Sequence, residues 1–293
     1  MAKKNNQKKD TQNYELLAEL NYHYQFSQDD MDKRKLRKNG WDDTLKAYFG
    51  KLPNNWPYQT QVTDPVIRTA ILEKTSRMFA GKLRGTVVPR EGADAVSARI
   101  QNAILDFQWD YATEGGSMLE KIILSDIQTR IFGASFGLCY WDIKKTQGGE
   151  TFETNEFKVL DNRDVFVDYQ SNHIRNANWV QVREWVTFQQ LKEKNDGGQP
   201  IYQNLDLLES KLLDNDTPAP QRRDNRYTSI VKQLRSLEDR VGQDIYYPTI
   251  ELVTEYRRDR WITFAPRFGV ILRDIKNPYK NMEIPVVMLR YYP

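Results

Sequence analysis

The chain has 293 residues, a formal net charge of +3 and a single cysteine, Cys139. One cysteine cannot form an internal disulfide and excludes a zinc site built from thiolates, so we expect a reducing compartment. Hydrophobic residues make up 39% of the chain and charged residues 28%, which is ordinary for a globular protein. The sequence contains no run of about 18 apolar residues, so it predicts no membrane-spanning helix.

The positive charge is concentrated at the N-terminus. Residues 1–38 hold nine Lys or Arg and six Asp or Glu, which leaves 34 charges of each sign after residue 38. Because tight non-specific DNA binding needs many uncompensated phosphate contacts, the body of the protein is not predicted to grip DNA. The basic N-terminus is predicted to be a solvated tail rather than a specific nucleic-acid arm.

The N-terminal part predicts one short helix followed by a connector. Residues 12–26 have helical spacing of their apolar side chains. These side chains are Leu16, Leu17, Leu20 and Tyr24. The charged stretch at 27–40 predicts a mobile connector, and residues 41–58 predict a compact, turn-rich segment.

Three further helices are predicted before the first hairpin. Asp64 and Pro65 are typical of a helix start, and that helix should run to about Gly81. Its predicted buried residues are Ile67, Ala70, Ile71 and Met78. A short strand that begins at residue 82 and ends at Pro89 leads to a second helix at roughly 94–112. Its apolar stripe is Ile100, Ile104, Phe107 and Tyr111.

The third of these helices has the clearest start signal. Ser117 and Glu120 have the spacing of a capping box. The predicted stripe of this helix is Leu119, Ile122, Ile123, Ile127 and Ile131. Gly133 and Gly137 should end the helix and open a strand, because glycine supports a tight turn and close packing.

The remaining chain predicts antiparallel strands. Residues 136–144 and 151–160 form a hairpin, and short strands follow at 165–167 and 178–186. Thr187 and Gln190 should cap a helix at 188–195.

The C-terminal third mixes irregular chain with strands. The polar residues 196–226 predict a loop or insertion, and a helix is predicted near 228–240. Residues 250–274 predict a long hairpin, and 276–293 a loop and a strand.

These elements define an α+β fold of several helices packed on antiparallel strands and hairpins. We divide the chain into four predicted parts. They are a charged helix and flexible connector at 1–38, an α+β core at 39–195, a polar insertion with a helix at 196–247, and a hairpin and strand that return to the core at 248–293.

Few residues are suited to catalysis. The two histidines, His23 and His173, lie 150 residues apart, and a zinc site would need carboxylates beside them. Neither a nucleophile elbow nor a phosphate-binding glycine loop is present in the sequence. Cys139 lies in an apolar run, which favours a buried, inert thiol. We therefore predict no catalytic, metal-binding or cofactor-binding residue and no enzymatic activity.

One acidic cluster leaves two interpretations open. Asp161, Asp164 and Asp168 fall within eight positions, which would suit a divalent-metal nuclease. In an extended chain, however, Asp164 and Asp168 would lie roughly 13 Å apart. Asp residues also stabilise turns, and Arg163 offers a counterion within the cluster. A structural turn with a salt bridge is the favoured interpretation, and the nuclease is the alternative.

The order of the segments resembles the N-terminal half of tailed-bacteriophage portal proteins. The segments are "DPVIRTAILEKTSRMFAG", "KLRGTVVPR", "DIQTRIFGASFGLCYWDIKK", "FKVLDNRDVFVDYQ" and "NPYKNMEIPVVMLRYYP". The resemblance runs, with gaps, from about residue 40 to residue 293, and it lies in the ordered set rather than in one motif. It covers mainly the part of the family's fold called the wing. The stem and clip that the family implies are not found before Pro293.

The resemblance implies a structural subunit of a ring of about twelve copies at one capsid vertex. Through such a ring, double-stranded DNA is packaged and later ejected. The implied partners are other portal subunits, major capsid and scaffolding proteins, the terminase large subunit and a head-tail adaptor, without a membrane or a cofactor. The implied location is the virion, and the host cytoplasm during assembly. The alternatives are the nuclease and a soluble adaptor that binds another protein through its aromatic residues.

Overall fold

The computed structural model describes residues 2–33, 40–51, 64–81, 85–110, 117–145, 151–171, 173–196, 200–213 and 249–290. Within these residues the fold is mixed α+β, with helices and two antiparallel sheets, as the sequence predicts at this level. The predicted helix at 228–240 lies outside the described residues.

Helices and strands come in blocks along the described residues: five helices, four strands, two helices and four strands. The helices are α1 (Ala2–Lys33), α2 (Asp42–Tyr48), α3 (Val66–Met78), α4 (Ala95–Asp110), α5 (Met118–Phe132), α6 (Phe188–Asp196) and α7 (Leu205–Leu213). The strands are β1 (Ala134–Lys145), β2 (Thr151–Leu160), β3 (Val165–Val167), β4 (Trp179–Thr187), β5 (Thr249–Arg257), β6 (Arg260–Ala265), β7 (Val270–Lys276) and β8 (Val286–Arg290).

The chain forms two compact units, each made of two separate pieces. The five-stranded unit consists of residues 1–37 and 163–284, and the three-stranded unit of residues 38–162 and 285–293. This grouping cuts across the four parts predicted from sequence, because α1 joins strands that follow it by more than 120 residues. The predicted boundaries themselves stay predictions.

In the five-stranded unit, the sheet has the order β3-β4-β5-β6-β7, and each neighbouring pair is antiparallel. Helix α1 contacts one face of the sheet, where Leu20, Tyr24 and Met31 are buried. A second cluster is formed by α6, α7 and strands β5–β7. Its buried members are Leu191, Leu208, Ile250, Leu252, Ala265, Val270 and Leu272.

In the three-stranded unit, the sheet has the order β2-β1-β8 and is also antiparallel. Side chains alternate between the two faces of a strand. One face carries the buried side chains Phe136, Leu138, Leu160 and Val286. Glu156 lies on that face too, and the Lys121 ammonium of α5 donates to it at 2.6 Å. Helix α5 therefore covers this face.

Several local signals in the sequence are confirmed. The Ser117 hydroxyl accepts from the Glu120 amide, and the Glu120 carboxylate accepts from the Ser117 amide. Thr187 and Gln190 make the same reciprocal pair before α6. Gly133 ends α5 with φ of 81°, a conformation that glycine adopts without strain. The hairpin of β1 and β2 is present with the predicted strands.

Four other predictions are wrong, the first two because burial continues beyond the local pattern. Helix α1 runs on to Lys33 through the predicted connector, where Ser27 and Met31 extend its buried side. The predicted loop at 196–226 contains α7, whose Leu208 enters the core. Residues 85–90 are irregular rather than a strand. The predicted long hairpin is three strands, β5 to β7.

Helices α3 and α4 also depart from expectation. Asp64 makes no side-chain cap for α3, which begins at Val66. The predicted buried residues Ile67 and Met78 are exposed, and Thr75 is the buried residue of α3. Ile100, Ile104 and Phe107 of the predicted stripe of α4 are exposed as well, and Tyr111 lies outside the described residues. Apolar periodicity predicts a helix, but it does not predict which side of that helix the rest of the same chain covers.

Gly137 in β1 gives a sensitive test of packing in the three-stranded unit. An alanine Cβ at this position would lie 2.2 Å from Cε2 and 2.3 Å from Cζ of Phe157, so the Phe157 ring would have to move. We expect Gly137→Ala to lower the free energy of unfolding by about 1–3 kcal/mol in chemical denaturation. Gly85→Ala is the control, since nothing lies within 4 Å of its Cβ. Equal stability of the two variants would contradict the prediction.

Candidate functional site: a buried charged network beneath the N-terminal helix

Polar side chains of β4 and β5 lie on the face of the five-stranded sheet that contacts α1. In β4, alternation places Gln181 and Arg183 on one face. The register of β5 places Glu255 opposite Gln181 and Glu251 opposite Trp185, on the same face. These four side chains are shielded from water, so each needs a polar partner within the protein. Helix α1 supplies several of those partners.

Arg183 is the centre of the network. Its Nε and Nη2 donate to Oδ1 of Asp164 at 2.9 and 2.7 Å, and its Nη1 donates to the Tyr24 hydroxyl at 3.2 Å. Nη2 also donates to the backbone oxygen of Arg163 at 3.2 Å. The guanidinium lies 5.5 Å from the ring centroid of Phe166, within cation–π range. One side chain thus joins α1, β4 and the turn before β3.

The protonation states of Arg183 and Tyr24 are held by their surroundings. Burial raises the pKa of Tyr24, and the nearby Glu251 carboxylate, which accepts its hydrogen bond, raises it further. Tyr24 is therefore a neutral donor at neutral pH. Burial alone would lower the pKa of Arg183, but its surroundings raise it overall. Since Tyr24 is neutral, the carboxylate of Asp164, together with that of Glu251 3.5 Å from Nη1, keeps Arg183 charged.

A second cluster surrounds the fully buried Glu255. Its Oε2 accepts from Nε2 of Gln181 at 2.6 Å and lies 3.2 Å from Nδ1 of His23, and its Oε1 accepts from Nε of Arg257 at 2.5 Å. Arg257 in turn makes a salt bridge with Glu19 of α1, with Nη2 and Oε1 2.9 Å apart. The cluster ties α1 to β4 and β5 through charged and polar groups.

Aromatic contacts also hold α1 against the sheet. The His23 ring stacks on Trp179 with centroids 4.6 Å apart and planes 10° apart. Tyr24 meets Phe166 edge-on at 5.2 Å, and Phe26 meets Tyr169 at 4.1 Å. About one turn of α1 is thereby held by rings from β3, β4 and the turn after β3.

Two kinds of catalytic site are relevant to this arrangement, a nucleophile–base pair and a metal site. Ser27 lies one turn after His23, but its buried hydroxyl has no hydrogen-bond partner, so the two form no nucleophile–base pair. Within the described ranges, no three His, Cys, Asp or Glu side chains converge in a way that could hold a metal ion.

The three predicted aspartates take separate positions. Asp164 is the partner of Arg183, as described above. Asp168 is buried and accepts from the backbone amides of Gln170 and Asn178 and from the Asn178 side chain, at 3.0, 3.2 and 2.9 Å. Asp161 is half-buried and follows β2. For Asp164 and Asp168, the salt-bridge and turn interpretation is confirmed.

Sequence reasoning missed the main partner of the cluster. A salt bridge to Asp164 comes from Arg183, 19 positions later in the sequence. The available signal was the alternation in "WVQVREW", which puts Gln181 and Arg183 on one face of a strand bounded by two tryptophans. Glu251 and Glu255 lie four positions apart in β5, which also places them on one face of their strand, but their pairing with β4 is long-range.

The structure also shows the surroundings of His173 and Cys139, two residues that the sequence analysis considered for catalysis. His173 caps a short turn, where its Nδ1 accepts from the Arg175 amide at 3.1 Å. Cys139 is exposed rather than buried, which corrects the sequence-based prediction. Neighbouring groups still desolvate the thiol enough to raise the pKa of Cys139, which disfavours the reactive thiolate.

The described residues include no helix with the length and apolar character needed to cross a bilayer. The sequence matches no known protein family model, and no curated protein is similar to it at a significant level.

Removal of Arg183 should be costly because it leaves Asp164 without its counterion. We expect Arg183→Met to lower the free energy of unfolding by about 3–5 kcal/mol in urea denaturation. Arg77→Met is the matched control, because the Arg77–Glu73 pair is exposed and should contribute less than about 1 kcal/mol. A loss for Arg183→Met as small as that for Arg77→Met would show that the network does not hold the unit together.

Tyr24 should make the docking of α1 sensitive to alkaline pH. Its pKa is raised in the fold, so its contribution to stability is full below about pH 10, the ordinary value, and is lost as pH rises through the raised pKa. Tyr24→Phe should cost about 1 kcal/mol at pH 8 and should lose less stability than the wild type between pH 8 and pH 11. Tyr14→Phe is the control, because Tyr14 is 74% exposed. Parallel pH profiles for wild type and Tyr24→Phe would refute this role.

Proposed function

We propose that the chain is a structural, non-enzymatic subunit of a phage portal ring, with a portal wing-like fold. It would sit at the capsid vertex, form part of the conduit for DNA packaging and ejection, and contribute to the docking of terminase and neck proteins. The observation that carries the proposal is the ordered set of segments between about residue 40 and residue 293 that resembles portal proteins. No cofactor is proposed.

The geometry of the charged network supports a mechanical role. Arg183, Asp164 and Glu255 are engaged by protein groups and bind α1 to the sheet. A subunit that carries load while DNA moves past it needs rigid elements rather than a reactive centre. The absence of net charge after residue 38 also suits a conduit, because strong phosphate contacts would retard the passage of DNA.

The proposed partners follow from this role. They are other copies of the chain in a ring of about twelve, the major capsid and scaffolding proteins, the terminase large subunit, a head-tail adaptor, and double-stranded DNA in the channel. The proposed location is the virion, and the host cytoplasm during assembly.

The two alternatives receive less support. A metal nuclease would need Asp161, Asp164 and Asp168 to share a cation, whereas Asp164 and Asp168 each bind protein donors. Saturable Mn²⁺ binding in calorimetry that Asp164→Asn abolishes would favour the nuclease instead. The adaptor would remain a monomer, whereas the portal subunit would form a ring. The mass of the assembled particle therefore distinguishes the two, since neither is proposed to catalyse a reaction.

The mass of the purified chain tests the proposal. We expect native mass spectrometry and negative-stain electron microscopy to show closed rings of about twelve copies at micromolar concentration. The lateral contacts of a ring bury apolar surface, so assembly should persist at moderate salt. A monomer at every concentration and salt condition would contradict the portal role and favour the adaptor.

A further inference from the structure

Helix α4 carries an apolar stripe on its exposed side. Val96, Ile100 and Ile104 are 68%, 57% and 50% exposed. They are spaced four residues apart, which confines them to an arc of about 80° on the helix surface. Phe107, 43% exposed, falls within the same arc. We call these four residues the helix stripe.

The helix stripe lies opposite the side of α4 that its own unit covers. Ala98 is buried, and Asn102 lies one turn further along the same side. The Asn102 side chain bonds the backbone of Val87 twice: its amide donates to the Val87 oxygen at 2.9 Å, and its oxygen accepts from the Val87 amide at 2.8 Å. These contacts fix the inner side of α4, so the helix stripe faces outward.

The three-stranded sheet has a second apolar surface, on the face away from α5. Val287 and Leu289 of β8 are 40% and 48% exposed, and Trp141 of β1 is 48% exposed. Cys139 of β1 is exposed on the same face. The Phe157 ring of β2 lies beside Gly137 on this face. We call this surface the open sheet face.

The size of each surface matches the apolar core of a protein–protein interface. With about 100 Å² of apolar area per large side chain, the helix stripe and the open sheet face each offer roughly 300–400 Å². A standard interface buries about 800 Å² per partner, and a little over half of that area is non-polar. Exposed patches of this size on a monomer are often interaction sites.

We propose that the helix stripe of one copy docks on the open sheet face of the next copy, in a head-to-tail contact. This inference rests on the proposed ring and names the surfaces that form it. A single head-to-tail contact covers both surfaces in every copy, and repetition with a closing rotation gives a ring. Self-pairing of either surface would instead give a two-fold dimer and leave the other surface uncovered.

The packing mode has a precedent within the same unit. Helix α5 already covers one face of this sheet with apolar and paired polar residues, among them Ile127, Ile131 and the Lys121–Glu156 pair. The open sheet face presents the apolar residues of the same three strands in the opposite direction. A second amphipathic helix, α4 of a neighbour, would complete a helix–sheet–helix sandwich, a common layered arrangement.

Charge placed on each surface tests the contact. The helix variant is Ile100→Glu with Ile104→Glu, and the sheet variant is Val287→Glu with Leu289→Glu. All four positions are at least 40% exposed, so the subunit itself should still fold, which circular dichroism checks. The control is Ile201→Glu with Leu207→Glu, two residues of the five-stranded unit that are 41% and 49% exposed. Native mass spectrometry gives the assembly state of each.

Each variant alone should fail to assemble at concentrations 100-fold above those at which the wild type and the control form rings. Mixed in equal amounts, the two variants should give a 1:1 heterodimer and no larger species. The sheet variant keeps an intact helix stripe, the helix variant keeps an intact open sheet face, and one contact can form between these two surfaces. The other ends repel each other, because both carry glutamates.

Other results overturn the inference in recognisable ways. If the wild type forms rings and the variants do so too, the ring uses other surfaces and the proposed function stands. If the helix variant or the sheet variant alone forms homodimers, the surfaces pair with themselves. If the mixture stays monomeric while the wild type forms rings, the two surfaces do not meet. If the wild type itself stays monomeric, both the inference and the portal role fail.

Discussion

The ion pair between Arg183 and Asp164 is the constraint on which the five-stranded unit depends. A guanidinium placed on a buried sheet face is tolerated only with a carboxylate and further acceptors, because an unpaired buried charge is strongly unfavourable. Those acceptors come from the turn before β3 and from Tyr24 of α1. The position of one arginine therefore fixes where α1 can lie. The Glu255 cluster sets a second point along the same helix, so its register as well as its location is determined.

The sequence predicted local interactions correctly, but it did not predict partners that are distant along the chain. The pairs Ser117 with Glu120 and Thr187 with Gln190 were predictable, because each residue needs only a backbone three positions away. Arg183 was not assigned to Asp164, since that pairing depends on how β4 turns back beside β3. The length of α1 was underestimated for a similar reason: its charged C-terminal residues look solvated in the sequence, whereas Ser27 and Met31 are buried in the fold. The mixed α+β class survives such errors, because alternation and periodicity are local.

The error on α4 is informative in a different way. The spacing of Ile100, Ile104 and Phe107 correctly predicted an amphipathic helix, yet Ala98, which is buried, lies on the opposite side of that helix. A sequence pattern records that an apolar stripe is covered by something, and it does not distinguish the protein's own core from a neighbouring molecule. A strongly periodic stripe that the fold leaves exposed is thus itself a sign of association.

The two units use their polar and apolar groups in opposite ways. In the five-stranded unit, charged side chains face inward, where hydrogen bonds are directional and a misplaced helix would leave Glu255 or Arg183 unsatisfied. In the three-stranded unit, apolar side chains face outward on both α4 and the sheet, where burial is non-directional and its free energy grows with area. The proposed ring subunit needs both properties, because it must keep its shape under load and bind the next copy. In that ring, directional bonds would resist distortion within the subunit, and apolar area would hold it to the next copy with little dependence on salt.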